Sequence, residues 1–367
     1  MISFYMPKIG EEEEKAAVEC IRSRNLASYE YITKFQEDFK SYIGVNYALA
    51  VSSGTAALHL ALVALGIKEG DEVIVPSFTF VAAVNVIKYV NATPVFVDIK
   101  KGDFCLDEDQ LERYITPKTK AIIAVHMFGN PCNMNKIMEI AKRHNIYVVE
   151  DCAESMGSEY YGKKPGSFGD ISCFSFYTNK YITTGEGGMC VTNNPNFANI
   201  IDSLRAQGKK EGKVERDRIG KPHFYHDYLG YNYRMTDLQA AVGIAQLKKI
   251  DKFVFDKRKI IDIYNRLLRN LNVETPLEGY GIKNNFWMYA VLFKDKETRD
   301  KVVSNFKLSN IPYREMFFPC HRMPMYNSDK HLPVTEDVFN RGLILPDSQE
   351  MNEEEITSVV EKIKEVL

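Results

Sequence analysis

From about Asn46 to Val191 the chain repeats one pattern: a short apolar run, a helix-length segment with apolar residues three and four apart, then another apolar run. The strand-like runs are Ala48–Val51, Glu72–Val75, Val95–Val97, Ala121–Val125, Tyr147–Val149, Ile171–Phe176 and Met189–Val191. Thr55–Leu65, Phe80–Tyr89 and Lys136–His144 carry helical periodicity between them. Such alternation builds a mostly parallel sheet covered by helices. The crossovers are then right-handed, and a ligand belongs at the carboxyl ends of the strands.

A chain of 367 residues exceeds what one simple core organises. We expect a large α/β domain over residues 1–245 and a smaller C-terminal α+β domain over 246–367. Thr236 suits an N-cap, and the glycine-poor stretch from there to Leu271 is expected as one long helix joining the two. A strand over Trp287–Phe293 and helices over Glu297–Phe306 and Glu353–Val366 follow. The polar segment Lys209–His226 reads as a mobile loop, either over an active site or without a role.

Bulk properties narrow the class. The formal net charge is −2, which gives no electrostatic reason for nucleic acid or an anionic membrane as the main partner. Seven cysteines are scattered without a Cys-x-x-Cys pair, as for reduced, buried thiols in a cytoplasmic protein, and no Cys/His set has zinc-ligand spacing, so no metal is expected. The start of the chain does not read as a signal peptide. The longest apolar stretch, Val73 to Ile87, is interrupted by Pro76, Ser77 and Asn85 and is too short to span a bilayer.

The chemistry concentrates at strand ends. Val148 to Ser155 is an apolar strand that delivers Asp151 at its end. Ser172 to Gly188 places Lys180 between a strand containing Phe174 and Phe176 and the turn Thr183-Thr184-Gly185-Glu186-Gly187-Gly188. A lone lysine after a strand is ordinarily a solvated surface group. Here an amine and a carboxylate converge on one cleft, which suits pyridoxal phosphate: the lysine can form a Schiff base with the aldehyde, and the aspartate can keep the pyridine nitrogen protonated. Ser52-Ser53-Gly54-Thr55 follows a strand and opens a helix, a place for an anion, though an ordinary N-cap reads the same way. Ser175 can add a hydroxyl. Phe78 and Phe80 lie near a strand end, either as core or with one ring free to stack on a flat ligand. No Walker loop or Gly-x-Gly-x-x-Gly fingerprint is present.

Together these segments resemble the DegT/DnrJ/EryC1/StrS family of pyridoxal-phosphate-dependent sugar aminotransferases. The resemblance spans nearly the whole chain: Ser-Gly-Thr-Ala-Ala-Leu from Ser53, Glu-Val-Ile-Val-Pro-Ser-Phe-Thr-Phe from Glu72, Pro-Val-Phe-Val-Asp from Pro94, Glu-Asp-Cys-Ala-Glu-Ser from Glu150, Thr-Thr-Gly-Glu-Gly-Gly from Thr183 and Gly-Tyr-Asn-Tyr-Arg-Met-Thr-Asp from Gly230. It implies an aspartate-aminotransferase-like fold (fold type I) and transamination, with L-glutamate as amino donor and the keto group of a nucleotide-linked 4-keto-6-deoxy sugar as acceptor. It implies that Lys180 carries the cofactor and shuttles protons, Asp151 pairs with the pyridine nitrogen, and Phe80 stacks on the ring. By the same resemblance Gly54, Thr55 and Ser175 hold the phosphate, and Glu154 lies near the ring hydroxyl. Asn232 would reach the cofactor of a neighbouring subunit, so the active unit would be a homodimer.

The chain has Tyr177 where many members have His, and Asn179 before the lysine resembles the branch that aminates a GDP-linked sugar. Arg314 and Phe318-Pro319-Cys320-His321 resemble that branch's substrate loop in a looser form, so Arg314 and His321 are candidate substrate contacts, His321 reading equally as a structural histidine. Three other readings stay open: the same transamination on a small phosphorylated ketone, a sugar dehydratase, for which relatives carry His in place of the lysine, and a ligand-binding protein that keeps the fold.

Overall fold

Short apolar strands pair into one central sheet, as the alternation requires. The computed structural model describes residues 2, 4, 7–209, 224–326 and 328–367. Most of the loop expected over Lys209–His226 therefore lies outside the described residues. In chain order the strands are β1 (Tyr47–Val51), β2 (Glu72–Pro76), β3 (Thr93–Val97), β4 (Thr119–Val125), β5 (Tyr147–Asp151), β6 (Glu159–Tyr160), β7 (Ile171–Ser175), β8 (Gly188–Thr192), β9 (Val273–Glu274), β10 (Ile282–Lys283), β11 (Ala290–Phe293), β12 (Arg314–Glu315) and β13 (Gly342–Ile344). The helices are α1 (Glu11–Ser23), α2 (Glu30–Ile43), α3 (Gly54–Ala64), α4 (Ala82–Tyr89), α5 (Met134–His144), α6 (Pro195–Arg205), α7 (Asp237–Leu247), α8 (Ile250–Leu268), α9 (Lys296–Leu308), α10 (Pro333–Arg341) and α11 (Glu353–Lys364).

Among the described residues the central sheet has seven strands in the order β1-β8-β7-β5-β4-β2-β3. β2 is parallel to β3 and β4, β4 to β5, and β5 to β7. β8 is antiparallel to both its neighbours. The reason is local: β7 and β8 are joined by the lysine-bearing loop without a helical crossover, and a strand that returns without a crossover must run back. The middle strands are buried on both faces and accordingly read as continuous apolar runs. α2 lays Phe35 and Phe39 against Phe174 and Phe176 of the lysine segment, with ring centroids 5.0 to 5.6 Å apart across the helix–strand contact.

The expected single helix from Thr236 to Leu271 is two. Thr236 does cap α7, its hydroxyl accepting from Gln239 N while the Gln239 side chain bonds back. The helix then breaks at Lys248–Lys249, where Lys249 N closes a tighter bond to Gln246 O and its backbone strays from ideal helical angles (φ −106°, ψ −1°). Gln246 is buried and bonded to Thr183 N, Lys8 O and Glu13, and Lys249 Nζ pairs with Glu13 at 2.5 Å, so tertiary partners set the kink without glycine or proline.

α8 divides its apolar face between two cores. Ile250, Phe253 and Val254 join the main cluster around the central sheet, whereas Ile260, Ile261, Tyr264 and Leu268 join a second. That second core lies between α8, α9, α11 and an antiparallel sheet in the order β12-β13-β11-β9. A buried ion pair anchors it: Lys257 Nζ lies 2.8 Å from Asp347 Oδ1, and Asp347 Oδ2 accepts from Tyr289 N at 2.7 Å. β6 and β10 form a small antiparallel pair that ties residue 160 to residue 282. No helix among the described residues is long and apolar enough to cross a membrane.

Candidate functional site

The carboxyl ends of β1, β5 and β7 open on one cleft of about 360 Å³. β1 leads through Ser53 into α3, whose first turn is the floor on one side. Ser53 Oγ accepts from Ala56 N at 3.1 Å, leaving the Gly54 and Thr55 N–H groups at a free helix terminus facing the cleft. Gly54 has a steric reason: a Cβ there would stand 2.8 Å from Ser175 Cβ, so only glycine lets the helix start approach β7. Ser175, last residue of β7, borders the same space.

β5 ends in Asp151, which is 8% exposed, and its Oδ1 accepts from Ala153 N at 3.1 Å. Burial raises its carboxyl above the ordinary value, opposed by that N–H and by the nearby Lys180 charge. Glu150, one residue back, points to the other face of the strand. Its two oxygens take Gly166 N, Phe168 N, Gly169 N, Ser172 Oγ and the His126 ring, so it locks the strand from behind. His126, Glu150 and Cys152 lie close enough together to suggest a metal. The carboxylate is already saturated by these donors, and His126 Nδ1 accepts from Cys132 N at 3.0 Å.

Lys180 enters from the β7–β8 loop. Its Nζ lies 3.9 Å from Glu154 Oε1 and 3.6 Å from the centroid of the Trp287 ring. Burial lowers its proton affinity; Glu154 and Asp151 oppose that, and Arg314 adds to it. Burial likewise pushes Glu154 up to about 7, against the Lys180 charge and an N–H from Phe128 at 2.8 Å. Both directions favour the neutral forms, and a lysine that gives up its proton more readily than an exposed one is what Schiff-base chemistry needs.

The remaining candidates divide. Phe80 lines the cleft with 57% of its surface exposed, an uncovered aromatic face beside the lysine, and Arg314 lines it from β12. Asn232 lies outside, in a separate depression of about 300 Å³ with Ala27, Tyr29 and Arg234. His321 does not line the cleft. It is 1% exposed, held between Ser77 Oγ (2.6 Å) and Glu336 Oε1 (3.2 Å), which is the setting of a structural histidine. Asn179, noted in the sequence only for its place before the lysine, lines the cleft, and so do Trp287 and Phe317, which were not singled out as site residues. The one cue was that Trp287 is the only tryptophan of the chain. A helix terminus for an anion, an uncovered ring, a carboxylate at a strand end and a buried amine together fit pyridoxal phosphate.

Comparison with known proteins agrees. The model of the DegT/DnrJ/EryC1/StrS aminotransferase family matches residues 7–364. A GDP-perosamine synthase of Escherichia coli O157:H7 is 44% identical, covering 99% of this chain and 98% of that protein. A GDP-perosamine synthase of Caulobacter vibrioides is 40% identical, covering 100% and 98%. The protein Spr1654 of Streptococcus pneumoniae, solved in its pyridoxamine phosphate form, superposes with a TM-score of 0.94 at 26% identity, covering 100% of this chain and 99% of that one. With the fold, the cleft and near-complete matches in agreement, the chain belongs to the DegT/DnrJ/EryC1/StrS family and is a pyridoxal-phosphate-dependent sugar aminotransferase.

Proposed function

We propose that this enzyme moves an amino group from L-glutamate to the keto carbon of a nucleotide-linked 4-keto-6-deoxy sugar, a GDP-linked one first among candidates. The observation that carries this reading is a buried Lys180 amine held 3.9 Å from Glu154 in the cleft that Asp151 also lines. The likeness over nearly full length to proteins named GDP-perosamine synthase supports the choice of sugar.

The bound coenzyme supplies an electron-withdrawing ring that stabilises negative charge developing at the substrate carbon. The chain's residues do the rest. In this proposal the N–H groups of Gly54 and Thr55, with the Ser175 hydroxyl, bind the phosphate, and Phe80 covers one face of the ring. The Asp151 carboxylate holds the proton on the ring nitrogen. Glu154, which lines the same cleft, would serve the ring hydroxyl. Lys180 Nζ would take a proton from the donor's α-carbon and, in the second half-reaction, deliver one to the carbon that was the acceptor's ketone. Positioned acid–base catalysis of this kind is worth roughly 10² to 10⁴ in rate. Arg314 offers a positive charge to the anionic part of the substrate. Asn232, outside the cleft of its own subunit, is proposed to serve the neighbouring site of a homodimer.

The test incubates the purified protein, coenzyme and L-glutamate with a panel of GDP-, UDP- and TDP-linked 4-keto sugars and simple keto phosphates. Formation of 2-oxoglutarate and an aminated nucleotide sugar is expected. Amination of keto phosphates alone would overturn the acceptor, and loss of a hydroxyl without 2-oxoglutarate would overturn the reaction.

A further inference from the structure

Residues 284–288 belong to no helix or strand, yet they clasp the lysine loop on both sides. Asn285 is fully buried; its Nδ2 donates to the carbonyls of Glu154 and Met156, both at 2.8 Å, and its Oδ1 accepts from Trp287 N at 2.8 Å. Its carbonyl accepts from the Tyr181 hydroxyl. Trp287 N also reaches Phe128 O at 3.0 Å, and its indole Nε1 donates to Asn179 O at 2.6 Å. The neighbours on either side of Lys180 are therefore fixed to one clip, and the same clip fixes the turn that carries Glu154. The indole face ends 3.6 Å from Lys180 Nζ, centroid to nitrogen.

We propose that Trp287 is a positioning residue for Lys180: its indole face is the seat on which the protonated amine rests when it is not covalently attached. This deepens the function proposed above and rests on Lys180 as the attachment point. A cation over an aromatic face is attracted by the ring quadrupole, most strongly over tryptophan and when water is excluded. In transamination the same nitrogen is neutral when it attacks a carbonyl carbon and charged after it has taken a proton. The face favours the charged form without a hydrogen bond that would have to break before the next attack. The charged groups that act on Nζ are Asp151 and Glu154 from the end of β5 and the turn after it, and Arg314 from β12; Glu186 and Tyr177 of the lysine loop line the same cleft.

Because Trp287 is the only tryptophan, growth on fluorinated tryptophans alters this ring alone. Mono-, di- and trifluorination weaken the negative face stepwise while keeping the indole N–H and nearly the same shape. The measurement is the pH dependence of acylation of Lys180 in the full-length, cofactor-free protein, read by peptide mass spectrometry, alongside the pH profile of kcat in the loaded enzyme. The midpoint of Lys180 labelling is expected to fall with each fluorine by a total of about one pH unit, a tenfold change in the neutral fraction. Trp287→Phe is expected to shift it less than Trp287→Leu. A midpoint unchanged across the fluorinated series overturns the proposal, as does an equal shift in Phe and Leu, which would assign the effect to the lost N–H. Lys180 titration is read without substrate, so failure to aminate any keto sugar leaves this result standing.

Discussion

Lys180 and Glu154 face each other in a cleft where burial opposes charge on both. For Glu154, the folded value of about 7 exceeds the ordinary 4.5, so between those pH values the native protein keeps a proton that the unfolded chain has lost. Stability therefore falls as pH rises through that window, and the full cost is present above it. Thermal unfolding of the cofactor-free protein should show a shallower decline from pH 5 to 7 in Glu154→Gln than in wild type; parallel curves would remove Glu154 from this role. Lys180→Ala is expected to lower kcat by at least about 10²-fold and to abolish the visible absorbance of the lysine-bound coenzyme, as absorption spectra will report. That Lys180, Asp151, Phe80, Gly54, Thr55 and Ser175 share one cleft was legible because each lies at the edge of an apolar run, where a parallel sheet delivers side chains to one rim. Trp287 was not. Its partner carbonyl on Asn179 is 108 positions away, and no periodicity encodes that contact.

The elements depend on clamps from distant segments. Asp98, just after β3, is 4% exposed and caps α10: its Oδ1 accepts from Thr335 N (2.7 Å) and Thr335 Oγ1 (2.8 Å), and its Oδ2 from Val334 N (3.0 Å). Asp98→Ala leaves buried donors unpaired and should cost about 1–3 kcal/mol in urea unfolding, far more than an exposed substitution. Gly129 sits at φ +90°, and the Asn285 side-chain oxygen occupies the place a Cβ would take. Gly129→Ala should therefore dislodge the Asn285 clip and lower coenzyme affinity, measured by absorbance titration, while the far-UV circular dichroism stays that of wild type. Strand and helix positions in the central sheet were legible from apolar alternation to within a residue or two. The direction of β8 and the break at Lys248–Lys249 were not, since a return loop in place of a helix and the hold of Glu13 on Lys249 are facts of tertiary structure.

At the scale of the molecule, the proposed homodimer makes a mixing prediction. Lys180→Ala and Asn232→Ala proteins, each impaired alone, should regain activity when co-refolded, because one hybrid site then pairs an intact Lys180 with the partner's intact Asn232. Activity no higher than the average of the two separate proteins would place Asn232 outside any shared site. The clip also orders events in time. A ribosome makes Asn179, the residue before Lys180, 108 residues ahead of the indole that bonds to it. At ordinary elongation speeds of about 5–20 residues per second, the nascent amine waits roughly five to twenty seconds for that neighbour. Any product that terminates before Trp287 therefore keeps the attachment point but lacks the indole face that seats it.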